Sequence, residues 1–190
     1  MLVVANEEDA LAQLRAGQLC CTRCGGPLAP WGYARPRKLR GVAGTAVELK
    51  PRRARCRSCK SAHVVLPGWC LPRRRDTAQV VVGALVAKAS GAGHRKIANC
   101  LGLPPTTVRG WVRAATSAAS YVARVALQVA FAADARLGSV APRPTPLASA
   151  MEALGLAASA LMRALGPVAE PWDIVVAVSG GRLLGPVPPG

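Results

Sequence analysis

"HRKIANCLGLPPTTVRGW", residues 94–111, carries apolar residues at helical intervals on both sides of a Gly-Leu-Pro-Pro break. Ile97, Ala98 and Leu101 fall on one face of a first helix, and Val108, Trp111 and Val112 on one face of a second. Gly102 permits a left-handed turn, Leu103 fills the corner, and Pro104 and Pro105 suit the start of a helix, where a missing N–H costs nothing. The small Ala98 lets the two helices approach closely. The spacing of Ala98, Gly102, Val108 and Trp111 predicts a helix-turn-helix in which Trp111 anchors the core. Thr106, Arg109, Gly110 and Arg113 then lie on the opposite, bare side.

Upstream, "DTAQVVVGALVAKAS" (76–90) predicts a supporting helix, with Asp76 as N-cap and Ala78, Val81, Val82 and Leu85 turned inward. Three helices over 76–116 make a tri-helical, homeodomain-like unit, and its bare face is shaped for the major groove of double-stranded DNA. Arg109 is the candidate for bidentate contact with guanine, and Arg113 for base or phosphate. Thr106 and Thr107 are candidates for phosphate or a thymine methyl. His94, Arg95 and Lys96, at the start of the motif's first helix, are placed to clamp the backbone.

Before this unit the text changes character. Residues 20–75 are rich in Gly, Pro and Arg, with short runs such as "TAVELK" and "AHVVLP" that predict small strands and turns. Within them "CTRC" (21–24) and "CRSC" (56–59) are two C-x-x-C pairs. Each pair can form a tight knuckle, and two knuckles give a closed site of four thiolates: Cys21, Cys24, Cys56 and Cys59 as ligands of a structural Zn2+. A closed site has no open position for chemistry. His63 is a conceivable substitute ligand, although a packed or surface histidine is the preferred reading. Cys70 and Cys100 are read as ordinary small apolar residues. Trp31 and Tyr33 could stack on bases, but at i, i+2 on a short strand the preferred reading is packing of the ribbon.

The charge is concentrated. Of 25 Lys and Arg in a chain of formal charge +16, 14 lie in residues 20–75, opposed by Glu48 alone. Such a field implies a polyanionic partner, bound through phosphates by counterion release. "MLVVANEEDA" lacks the basic start of a secretory signal, and the uncharged stretches are too short to predict a membrane span. The expectation is a cytoplasmic, nucleoid-associated protein with no membrane partner and no small-molecule substrate.

Three segments, "CTRCGGPLAPWGYARPRKLRG", "RRARCRSCKSAHVVLP" and "GAGHRKIANCLGLPPTTVRGWVRAA", together resemble an uncharacterised family of high-GC bacteria that joins a zinc ribbon to a transposase-like helix-turn-helix. They are also similar to the amino-terminal DNA-binding region of insertion-sequence transposases. The resemblance spans about residues 20–115. It implies DNA binding, with the four cysteines holding zinc and residues 106–113 as the reading helix; it implies no catalysis.

A transposase nuclease needs three carboxylates on a folded α/β domain. Beyond Thr116 the acids are Asp134, Glu152, Glu170 and Asp173, scattered over Ala-rich helical text, so no enzyme is expected. Residues 1–19 predict a short helix capped by Asn6, and 117–190 a helical region with a linker near 138–146 and a terminal helix or strand in "WDIVVAVSGGRLL". The C-terminal helices either pack back on the chain or form a homodimer. The fold expected is small α+β: a β-rich zinc ribbon, a helix-turn-helix and a C-terminal helical region. Two other functions compete with a free-standing DNA-binding regulator: the recognition half or remnant of a transposase, and an RNA- or protein-binding zinc ribbon.

Overall fold

In the computed structural model, which describes residues 1–167 and 169–186, the chain is mixed α+β, with the strands in its first third. The elements run β1 (Leu2–Val4), α1 (Glu7–Arg15), β2 (Leu28–Tyr33), β3 (Arg37–Arg40), β4 (Ala46–Leu49), β5 (Arg52–Cys56) and β6 (Ala62–Pro67). Five further helices follow: α2 (Ala78–Ala89), α3 (His94–Leu101), α4 (Pro105–Ala133), α5 (Pro146–Leu165) and α6 (Pro171–Val178). One sheet has the order β1-β6-β5-β2, and β3 and β4 form a separate hairpin.

Asn6 caps α1 as its side chain predicts, its Oδ1 accepting from the backbone N–H of Glu8 at 2.9 Å and of Asp9 at 3.3 Å. The short "LVV" ahead of it forms β1 and pairs in parallel with β6, Leu2 opposite Val65 and Val4 opposite Pro67. The first residues are thus an edge of the sheet that the cysteines sit on. Leu14, Cys21, Leu28, Ala54, Cys56 and Val65 form a small core between that sheet and α1.

Asp76 is the chief departure in the first half. It does not cap α2; Thr77 occupies the cap position and makes no side-chain cap bond. Arg40 takes the carboxylate instead, with Nε and Nη2 both 2.7 Å from Asp76 Oδ1. Backbone bonds hold the two residues together: Thr77 N–H donates to Arg40 O at 3.0 Å, and Arg40 N–H to Arg75 O at 2.7 Å. A charge-assisted pair with a neighbouring element outcompetes a local cap. It also fastens the β-unit to the helices.

Those helices share the largest core. α2 buries a broad face through Ala78, Val80, Val81, Val82, Ala84 and Leu85 and leaves Gln79 and Val86 exposed. α4 is a single 29-residue helix that passes residue 116, where the sequence reading divides the chain, without a break. No Gly or Pro interrupts "VRAATSAASYVARVALQVAFAA", and its small residues bury Ala115, Ala118, Ala119, Val122, Ala126 and Ala130. α5 packs along this face through Leu147, Met151, Leu154, Ala157 and Ala158. It is also the one described helix whose length and hydropathy reach those of a membrane span. Much of it is buried, and Glu152 and Arg163 on it are ion-paired, so it belongs to the core. "WDIVVAVSGG" resolves as a helix: Pro171 opens α6, and Gly180 and Gly181 follow it with positive φ.

Candidate metal centre and cationic helix face

The two C-x-x-C pairs converge. Cys21, Cys24, Cys56 and Cys59 bring their Sγ atoms within 4.8 Å of one another, an arrangement able to hold a metal ion. Cys21 Sγ lies 3.7 Å from Cys59 Sγ, and Cys24 Sγ 3.5 Å from Cys56 Sγ. A disulfide would require about 2.05 Å. A tetrahedron with metal–sulfur bonds of about 2.3 Å has edges of about 3.8 Å, which these spacings approach.

Local backbone explains the convergence. In the first knuckle Gly25 N–H donates to Cys21 O at 2.9 Å and Cys21 N–H to Gly26 O at 2.8 Å. Gly25 adopts φ +71°, and a Cβ on Gly26 would meet Ser58 Cβ at 2.9 Å and Cys56 Sγ at 3.3 Å. Glycine there is what lets one knuckle touch the other. The second knuckle turns through Lys60 at φ +61°, and Arg57 N–H donates to Pro27 O at 3.0 Å, tying the pairs together.

Electrostatics divides the thiols. Hydrogen bonding with the side chain and backbone of Ser61, whose Oγ lies 3.3 Å from Cys59 Sγ, brings the pKa of Cys59 down to about 6. Gly26 N–H pulls Cys24 down, but the thiols of Cys59 and Cys56 outweigh it and push Cys24 up to about 11. Four thiols this close cannot all ionise without a cation to offset their charges. Cys21 and Cys56 are buried while Cys24 and Cys59 reach solvent, so the centre sits at the edge of the small core. His63 is buried, and burial holds its pKa below the usual histidine value. Its Nε2 lies 3.2 Å from Cys21 Sγ, which places the ring beside the ligand set as a hydrogen-bond partner of one thiol. Cys20 is exposed and outside the cluster; Cys70 is fully buried and Cys100 exposed on α3.

The second candidate surface lies on α3 and α4. Gly102 closes α3 in the left-handed conformation, φ +62°, and Leu103 N–H donates to Ala98 O at 2.9 Å. Gly102, Leu103 and Pro104 make a three-residue turn, after which Pro105 occupies the first turn of α4. Ile97, Ala98, Leu103, Val108 and Trp111 are buried, Trp111 to 3% exposure. On the other side Thr106, Arg109, Gly110 and Arg113 are exposed and Thr107 half-buried; on α3, Arg95 and Lys96 are exposed and His94 half-buried. Among the described residues no carboxylate pairs with any of these cations. The one acid of residues 76–116, Asp76, is buried against Arg40.

Trp31 and Tyr33 depart from their reading as packing residues. They are 42% and 48% exposed. The register of β2 against β5 slips between Pro30 and Tyr33, and Gly32 there has φ +74°. The slip breaks the strand alternation on which that reading rested.

Residues 21–100 match the model of a protein family described as a domain of unknown function (DUF6431). The matched stretch opens on Cys21 and ends within α3, so it contains all four clustered cysteines but neither Arg109 nor Arg113. No curated protein and no solved structure matches the chain.

Proposed function

We propose that this chain is a non-catalytic, zinc-stabilised double-stranded DNA-binding protein, held at the nucleoid, that reads sequence with the start of α4. The observation that carries the reading is the two-sidedness of that helix: Val108 and Trp111 buried, Arg109 and Arg113 bare and, among the described residues, without a carboxylate partner. α3, the three-residue turn and α4 follow the layout of a helix-turn-helix, and α2 supports them from behind. Arg109 is the base-reading residue and Arg113 reads base or phosphate. Thr106 and Thr107 contact phosphate or a thymine methyl, and Arg95, Lys96 and His94 hold the backbone. The four-thiolate set favours zinc over harder cations. With two ligands among its six buried residues, the small core gains the stability that its apolar area does not supply.

The test is selection of bound duplexes by the purified zinc form, followed by titration of Arg109→Ala on the selected site and on an unrelated duplex. The expected result is a loss of about 1–3 kcal/mol in discrimination, with non-specific, salt-dependent binding retained. Unchanged discrimination removes Arg109 as the reading residue, and absence of duplex binding removes the function.

A further inference from the structure

The charged ribbon of β2 and β5 carries a feature that duplex reading by α4 does not use. Of the four tryptophans, Trp31 alone is exposed, and it stands on β2, an edge strand of the sheet. Burying an indole is worth a few kcal/mol, so one left 42% open on a structured strand calls for a reason. Its ring is held: the Arg53 guanidinium lies 4.0 Å from the ring centroid and that of Arg55 5.2 Å. Two residues on, Tyr33 repeats the pattern, with Lys50 Nζ 4.7 Å and the Arg52 guanidinium 5.2 Å from its ring, and Arg52 Nη1 donating to Tyr33 Oη at 2.8 Å. The flanking cations Arg23, Arg35, Arg57 and Lys60 are also exposed. Glu48, the sole acid of residues 20–75, lies opposite Lys38 on the β3–β4 hairpin and offsets none of them. Glu7 of α1 pairs with Arg52 at 3.4 Å; among the described residues no carboxylate pairs with Arg53 or Arg55 beside Trp31.

An open π-surface amid guanidinium groups is the chemistry that receives an unpaired base and its phosphates. A duplex keeps its base faces stacked inside and gives such a ring nothing to stack on. We infer that the β2–β5 edge is a single-stranded DNA site, with Trp31 as the stacking platform and Arg53 and Arg55 as phosphate contacts. The choice of DNA rests on the duplex-DNA reading proposed for α4; the choice of an unpaired strand rests on Trp31 alone. One chain then grips a duplex with one unit and an unpaired strand with the other.

The experiment uses the full-length zinc form and fluorescence anisotropy with four probes of equal length: oligothymidine, the same strand with abasic sites, oligouridine and a mixed-sequence duplex. Wild-type protein binds oligothymidine more tightly than the abasic strand. Trp31→Ala weakens oligothymidine binding by about 5-fold to 150-fold, the span of one stacked base. The same variant leaves duplex affinity within about twofold, and Trp31→Phe, which keeps a π-face, retains most of the oligothymidine binding. Three results overturn the inference: equal binding of base-bearing and abasic strands, equal loss of duplex and single-strand binding in Trp31→Ala, and tighter binding of oligouridine. Loss of duplex binding in Arg109→Ala, with oligothymidine binding intact, bears on α4 and leaves Trp31's role standing.

Discussion

Arg40 and Asp76 show how one pair of side chains can redirect a local rule. Asp76 has the position and chemistry of an N-cap, yet its carboxylate is 6% exposed and faces a guanidinium. Removing the arginine strands a buried charge, whereas removing the acid leaves a cation that is 41% exposed and can hydrate. Arg40→Ala is therefore expected to cost about 2–3 kcal/mol, and Asp76→Asn less, in urea unfolding monitored by near-UV circular dichroism. Gly26 makes a second prediction at this scale. A methyl there intrudes on Ser58 and Cys56, so Gly26→Ala should lower metal affinity on the order of tenfold, read by competition with a chromophoric chelator. Trp111 was legible in sequence because helical periodicity places it opposite Arg109. Trp31 was less so: on a short strand beside Tyr33 it suits stacking or packing alike, and the one-residue slip in register that decides leaves no mark in composition. The cysteines were the most legible of all, since ligand spacing is set by the chemistry of the ion more than by the fold around it.

At the scale of elements, local signals served where they were strong. Asn6, Gly102 and Pro105 each mark a helix end where the sequence rules put one. β1 was not readable, since three residues pairing with a strand some sixty positions away have no local pattern. The start of α6 supports a prediction in pH. Asp173 sits in its first turn, packed over Gly68, whose added Cβ would meet the Asp173 Cα and Cβ at 2.6 and 2.7 Å. Burial, then the nearby charge of Glu170, raises its carboxyl to about 6, above the ordinary 3.8. A raised acid contributes stability below 3.8, and that contribution is lost as pH climbs through about 6. Asp173→Asn is expected to raise stability at neutral pH by about 1 kcal/mol, a value reduced for partial exposure. The gain should vanish in melts run below the ordinary carboxylate pKa. Glu152 has the opposite sign: hydrogen bonds from Arg143, at 2.6 Å to each oxygen, lower its pKa. What that pair contributes is present above 4.5 and fades as acid protonates it.

For the whole molecule, the consequential fact is that the buried residues fall into distinct clusters. The one with Cys21 and Cys56 lies between α1 and the sheet, and the helical one runs from Leu71 through α2–α6. A small third cluster, Leu39, Leu49, Leu66 and Cys70, shares the packing of Val3 with the helical one. Chelation should therefore unfold the β-unit and leave most of the helical far-UV signal in place. A scan of the metal-free protein should show its remaining transition near the upper one of the loaded form. A single cooperative collapse on metal removal would show that the Arg40–Asp76 junction and the packing of Val3 and Gly68 against the helices transmit stability between the two. Domain texture was visible in the sequence as the change from Arg, Gly and Pro to Ala and Val. Helical text through about Ala135 was visible as well; the boundary placed at residue 116 had no stop signal behind it, and α4 runs straight through it.

That passage makes the protein stiff along one line. At about 1.5 Å per residue, the 29 residues of α4 form a rod of about 43 Å. One tip bears Arg109; the other ends at Asp134, clasped by Arg163 of α5 at 3.1 Å. Beyond Gly110 no glycine or proline interrupts it, so a displacement at the Arg109 end should be felt at the Asp134 clasp, turning the whole rod instead of bending it.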